Sequence, residues 1–405
     1  MKDLIKAKAR GMNESLIKFS NRIADCSPGR SNLQEFAGMI SGEMKNLDFD
    51  RVTSDKAGNL IGIINGYEKK DALILISHLD ILSPQDQKTE AALKSGVVKF
   101  KAGIVSSIYA AALMKRALFP LTGDLIVCCV PRLECCDFGI RYLFENYLKS
   151  KLKKIRGVVL CEPTDFNICL GHKGRMEYEI IVKGSLNRNF LENRGINMLG
   201  TMFPLINELE KFSKQLPSDS NLGFSNLRIK DVRYSGYQPE DERNEFRVVV
   251  DRVFIPEENL AGILNKAKAI AKSVYKGEPD VTINTALAKE KVKTSAGLEL
   301  VSEKEFKPWI MESYHPFALD SLKSLTDNGF KSSFGYWKKI ITEGSYTCAE
   351  LEIPTLGFGA GSEDSVGSGA ELLSLDELER TVYGLGLIIQ RNIGVPTFGW
   401  SSDEI

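Results

Sequence analysis

Histidine is scarce: His78, His172 and His315 are the only three in 405 residues, so there is little imidazole from which to build a metal site. Net charge is missing as well. Lys and Arg number 53 against 53 Asp and Glu, and the basic residues are spread among acidic ones instead of forming a stripe, which argues against a polyanion such as nucleic acid as partner. No stretch approaches the roughly 20 apolar residues that a membrane-crossing helix needs. The opening MKDLIKAKARGMNESL has no apolar signal core, so a soluble, cytoplasmic protein without a membrane partner is expected. Nor is there a disulfide framework, because eight Cys in so long a chain, four of them in the adjacent pairs Cys128-Cys129 and Cys135-Cys136, do not follow the pattern of a small secreted domain. Reduced thiols packing as small apolar residues are expected instead. Internal repeats, low-complexity tracts and flexible linkers are also lacking.

What is present is ordinary globular composition, 43% hydrophobic and 26% charged, over a length that favours two cores. Apolar residues recur at three-to-four spacing over Asn13 to Cys26 and Asn32 to Leu47, predicting helices. Short aliphatic runs predict strands at Asn59 to Ile64 and Ala72 to Ser77. A helix from Ala102 to Arg116, a strand from Asp124 to Val130, a helix from Phe138 to Leu148 and a strand from Ile155 to Cys161 follow. That alternation predicts an α/β fold on a mostly parallel, buried sheet.

After His172 the order becomes strand (Glu177 to Lys183), helix (Ile196 to Gln215), two strands (Leu227 to Tyr234, Glu245 to Ile255), helix (Glu257 to Lys276) and strand (Val281 to Thr285). This βαββαβ order predicts a small split-βαβ unit. The remainder returns to α/β, with a helix after His315-Pro316, a strand from Thr355 to Gly359 and a long helix from Ser374 to Ile393. The expected architecture is a discontinuous larger domain, residues 1–174 and 288–405, with an inserted α+β domain at 175–287.

Ligands of open parallel sheets gather at the carboxyl ends of the strands. Polar groups cluster at three such ends: Ser77-His78-Leu79-Asp80, Leu133-Glu134, and Glu162-Pro163. A His with two carboxylates suits a hydrolytic metal, Asp80 then orienting the imidazole, although His-x-Asp pairs are commonly incidental and a strand-end hydrogen-bond pair is the plainer alternative.

These motifs resemble those of the zinc aminoacylases, acetylornithine and succinyl-diaminopimelate deacylases and glutamate carboxypeptidases, in order over most of the chain. Ser77-His78-Leu79-Asp80 is similar to their histidine-x-aspartate strand end, Lys99-Phe100-Lys101-Ala102-Gly103 to their bridging-aspartate turn, and Leu133-Glu134 to their paired glutamates. Cys161-Glu162-Pro163-Thr164 is similar to their Glu-Pro-Thr strand end, and Gly171-His172-Lys173-Gly174 to their lead-in to the lid. Pro308-Trp309, His315-Pro316, Trp337, Ile353-Pro354-Thr355 and Gly357-Phe358-Gly359-Ala360-Gly361 continue the likeness.

The resemblance implies a two-metal centre, one ion on the strand-end His, the bridging Asp and the Glu-Pro-Thr carboxylate, the other on the bridging Asp, the second paired Glu and a late His. Here Lys99 occupies the bridging position, Gly367 the late-His position and Leu133 the general-base position. Arg188 falls where the family's lid has a His that polarises the scissile carbonyl. Within Val250-Asp251-Arg252-Val253, Val253 fills the place of the family's carboxylate-binding arginine. The first metal site thus keeps His78 and Glu162, and the second only Glu134. Catalytic zinc normally has three protein ligands, and a leucine cannot serve as a base.

Two readings follow. In one, the degraded site leaves a non-catalytic binding or partner protein for a small acylated amino acid or peptide. It would form a homodimer, or a heterodimer with a paralogue, and the Lys99 ammonium would sit between Glu134 and Glu162 in place of metal. No cofactor, or at most one Zn or other divalent ion, is expected. In the other, the chain is a metal-dependent amidohydrolase, of deacylase or dipeptidase type, with a rebuilt one-metal centre on His78 and Glu162 and an added ligand such as Glu134 or Asp80.

Overall fold

The computed structural model describes residues 2–25, 33–68, 70–80, 97–117, 120–132, 136–148, 154–185, 198–235, 243–278, 281–294, 296–365 and 372–395. A nine-stranded sheet organises the larger core, and at its centre the strands Gly123–Arg132, Lys70–Asp80, Ile155–Leu160 and Thr355–Gly357 run side by side, all parallel. Their inner residues, Leu73 to Ile76 and Leu125 to Val130 among them, are fully buried. Covered on both faces, such strands read as continuous aliphatic runs rather than alternating ones. At the margins, Leu60–Ile64 and Arg51–Ser54 extend one side antiparallel; on the other, Ile168–His172 and Trp309–Ile310 add antiparallel pairings and Phe334–Trp337 pairs parallel with Ile168–His172. An α/β fold on a sheet with a parallel heart is therefore what the chain adopts.

The helix Lys99–Arg116 packs on the central strand, and its run from Ile108 to Met114 is wholly buried. A helix apolar on every side belongs inside a core. Over it lies the helix Leu375–Ile393, begun by a capping box in which Ser374 and Glu377 exchange side-chain and backbone bonds.

A second core lies between a five-stranded antiparallel sheet and two helices, Met198–Ser213 and Leu260–Val274. The strand order is Asn226–Ser235, Arg243–Phe254, Gly174–Ser185, Thr282–Leu287, and the short Glu305–Phe306 also pairs with Gly174–Ser185. Apart from the minor hairpin of Ser218–Asp219 and Gly223–Phe224, this is the βαββαβ order read from the sequence. A hairpin, Lys289–Lys293 with Glu299–Glu303, follows it. Among the described residues, no helix is long and apolar enough to cross a membrane.

Candidate metal centre

His78 stands near the carboxyl end of the central strand, and Glu162 lies just past the end of the parallel strand beside it. The register brings them together: His78 Nδ1 is 2.6 Å from Glu162 Oε1, and both side chains are buried. The turn carrying Glu162 is fixed by its neighbours. Trp337 Nε1 donates to Pro163 O at 2.6 Å, and Thr164 Oγ1 donates to Gly359 O and accepts from Gly359 N–H, each at 3.0 Å. A Cβ on Gly359 would lie 2.4 Å from Glu162 O, and one on Gly103 would lie 2.1 Å from Cys161 O. Those two glycines let the late strand end and the long helix close directly on the turn.

A third acidic group joins them from a segment that the sequence motifs did not mark. Glu343 is buried, and one donor atom from each of His78, Glu162 and Glu343 lies within 4.8 Å of the others. Its backbone starts the short helix Gly344–Thr347, with Glu343 O accepting from the N–H groups of Tyr346 (2.9 Å) and Thr347 (3.0 Å). Ahead of it, Thr342 N–H donates to His172 Nε2 at 2.8 Å, so His172 carries its proton on Nδ1, which donates to Lys173 O at 2.8 Å. Gly344 sits under Trp309, where a Cβ would meet the indole at 2.2 Å. The sequence offers little signal for this residue beyond a polar stretch, Thr342-Glu343-Gly344-Ser345, after the pair Ile340-Ile341.

Burial raises the pKa of Glu162, with the neighbouring His78 opposing the shift. Arg132 is the fixed cation described nearby. Its Nη1 donates to Ile341 O at 2.6 Å and lies 3.9 Å from Glu343 Oε1, while its guanidinium covers the Phe306 ring at 5.2 Å. Side chains of Lys99 and Asp80 lie outside the described residues, as do Leu133, Glu134, Arg188 and Gly367 altogether.

The donor set fits one divalent cation. A neutral imidazole and two carboxylates balance a dication, and three protein ligands are what catalytic zinc sites use. Moreover, Glu162 Oε2 and Glu343 Oε2 are buried without a hydrogen-bond partner among the described residues. Leaving such acceptors unsatisfied costs about 1–3 kcal/mol each, more when charged, so an ion there would remove a penalty that the protein otherwise carries. On this donor set His78, Glu162 and Glu343 would hold the ion.

Other candidates do other things. His172 is fully buried against Trp309 and Trp337, and burial pushes its pKa down to about 4. His315 caps the helix Pro316–Thr326 by accepting from Phe317 N–H. Arg252 is enclosed, pairing with Glu258 and donating to Asn226 O at 3.1 Å, so it faces no ligand. Glu363 accepts from the N–H groups of Lys338 and Lys339, both at 2.9 Å, and Asp364 pairs with Lys339 at the surface. Burial holds the Cys129 thiol at about 12 and the Cys136 thiol at about 11, so neither ionises near neutral pH.

A parallel-centred sheet joined to an antiparallel βαββαβ unit is the fold of the M20-type metal peptidases. Among solved structures the chain resembles the yeast di-peptidase Dug1p, with a TM-score of 0.71 at 10% identity over 97% of this chain and 98% of that one. It is also similar to YXEP of Bacillus subtilis, described as a dinuclear metal binding peptidase from the M20 family, with a TM-score of 0.67 at 13% identity over 95% of this chain and all of that one. By sequence it is 25% identical to the uncharacterised protein YgeY of Escherichia coli over 377 residues, 89% of this chain and 90% of the relative. The uncharacterised metallohydrolase MJ1497 of Methanocaldococcus jannaschii is 25% identical over 337 residues, 79% of this chain and 83% of the relative. No family model matches the chain.

Proposed function

We propose that this chain is a metal-dependent hydrolase of amide bonds in small acylated amino acids or peptides, working with a single divalent cation at the strand-end cluster. The observation that carries the reading is the buried approach of His78 to Glu162 with an acidic oxygen on Glu162 that has no hydrogen-bond partner among the described residues. Support comes from the described activities of the similar proteins, a di-peptidase and a dinuclear metal binding peptidase, and from a relative named as a metallohydrolase. A bound divalent cation supplies Lewis-acid polarisation of the scissile carbonyl, worth several kcal/mol of charge stabilisation. The chain's own part is to hold His78 and Glu162 rigidly on neighbouring strands and to keep bulk water out of the cluster.

A second reading, a ligand-binding protein without turnover, is favoured by Arg132. Its guanidinium near Glu343 already offsets one carboxylate without any metal. The two separate in one assay of purified protein against N-acetyl amino acids and dipeptides. For a hydrolase, turnover disappears with chelator, returns with added zinc, and falls at least about 100-fold in Glu162→Gln, a loss of the size that removing a catalytic group produces. No turnover of any such substrate, with or without added zinc, would favour the binding protein.

A further inference from the structure

We propose that Glu343 is the third protein ligand of that cation, standing in for the absent bridging carboxylate and drawn from a loop instead of a strand end. The inference rests on the one-cation reading above and adds to it the residue that completes the site.

Glu343 is placed with unusual care for a residue that satisfies so little. His172 holds Thr342 N–H, Arg132 holds Ile341 O, Ser345 Oγ donates to Lys307 O at 2.7 Å, and Gly344 admits the Trp309 ring against the backbone. All four fix the backbone on either side of Glu343, yet the carboxylate so positioned keeps Oε2 buried and, among the described residues, without a hydrogen-bond partner. Arg132 does not resolve this: at 3.9 Å it is beyond hydrogen-bond length from Oε1, so it offsets charge without satisfying an oxygen. A buried carboxylate left in that condition is normally worse than an apolar side chain of similar size. A cation shared with Glu162 and His78 satisfies the orphaned oxygens on both glutamates and leaves the cluster neutral. Arg132 then becomes a competitor for Glu343, a fixed positive charge that repels the incoming ion.

The test is titration of metal-free full-length protein with zinc against a chromophoric chelator, repeated with cobalt(II), whose visible absorption reports its ligand field. Wild type should take up one ion. Glu343→Gln should lose more affinity than the 10–100-fold typical of losing an outer partner, and should alter the cobalt spectrum; His78→Ala and Glu162→Gln should weaken binding similarly, and Asp364→Asn should not. Glu343→Asp keeps the charge with a shorter reach, so an intermediate affinity is expected, and matching urea midpoints for the metal-free variants exclude loss of fold. One ion bound equally well by wild type and Glu343→Gln overturns the role of Glu343 and leaves the hydrolase reading standing. No ion at millimolar zinc, or two ions per chain, overturns both.

Discussion

His172 shows how one side chain serves the cluster without touching it. Its ring is locked in a single neutral tautomer by Lys173 O and Thr342 N–H, and protonating Nε2 would break the bond that holds the backbone next to Glu343. Since its folded pKa is near 4 and the unfolded value near 6.5, the unfolded chain binds more protons between those limits. Stability from this residue is therefore complete above about pH 6.5 and falls as the pH drops toward 4, by at most about 1.4 kcal/mol per pH unit. Urea unfolding of metal-free protein at pH 7 and pH 5 should show a larger loss for wild type than for His172→Gln. The raised pKa of Glu162 acts in the opposite sense, contributing stability below its unfolded value that is lost as the pH rises, but it is common to both proteins and cancels in the difference. Parallel pH profiles would remove His172 from this role. At this scale the closeness of His78 and Glu162 was readable from the sequence, because each stands at the end of an aliphatic strand whose limits are legible. Glu343 was not legible, because what brings it to the cluster is hydrogen bonding of the flanking backbone to His172 and Arg132 and packing against the Trp309 ring, all distant in the chain.

Between elements, glycine decides how closely backbones approach. Gly359 abuts the carbonyl of Glu162, whereas Gly38, exposed in the helix Leu33–Asn46, has nothing within 4 Å of where its Cβ would stand. The same substitution should thus have opposite signs. Gly38→Ala should stabilise by about 0.5–1 kcal/mol through helix propensity and a restricted unfolded chain. Gly359→Ala should destabilise by about 1–3 kcal/mol, as overpacking does, and should weaken zinc binding by moving Glu162. Urea midpoints of the two variants check the signs, and equal shifts would contradict the close contact. Most elements were readable from periodicity, since the buried parallel strands are unbroken aliphatic runs and the helices keep a clear apolar face. The hairpin Lys289–Lys293 with Glu299–Glu303 was not, because Lys-Glu-Lys-Val-Lys buries only Val292 and Glu-Leu-Val-Ser-Glu only Ser302, too little to make a two-residue apolar period.

Over the whole molecule the two cores stand in different relations to the centre. His78, Glu162 and Glu343 all come from the larger core, on a central strand, a strand-end turn and a loop between later elements, and none comes from the five-stranded unit. An ion on these three side chains would cross-link segments 265 residues apart in sequence, 78 to 343, within one core only. Ligand that binds only the native state stabilises it by about 2.7 kcal/mol at a hundred times Kd. That gain should appear as slower hydrogen exchange where the donors are anchored: residues 74–79, 158–164 and 341–348. Exchange in the strands Arg243–Phe254 and Asn226–Ser235 should stay unchanged, because no donor ties them to the ion. Mass-resolved exchange with and without one equivalent of zinc makes the comparison, and Glu162→Gln should abolish the protection. Protection spread equally through both cores would mean that the ion acts on the whole chain, through contacts other than these three side chains.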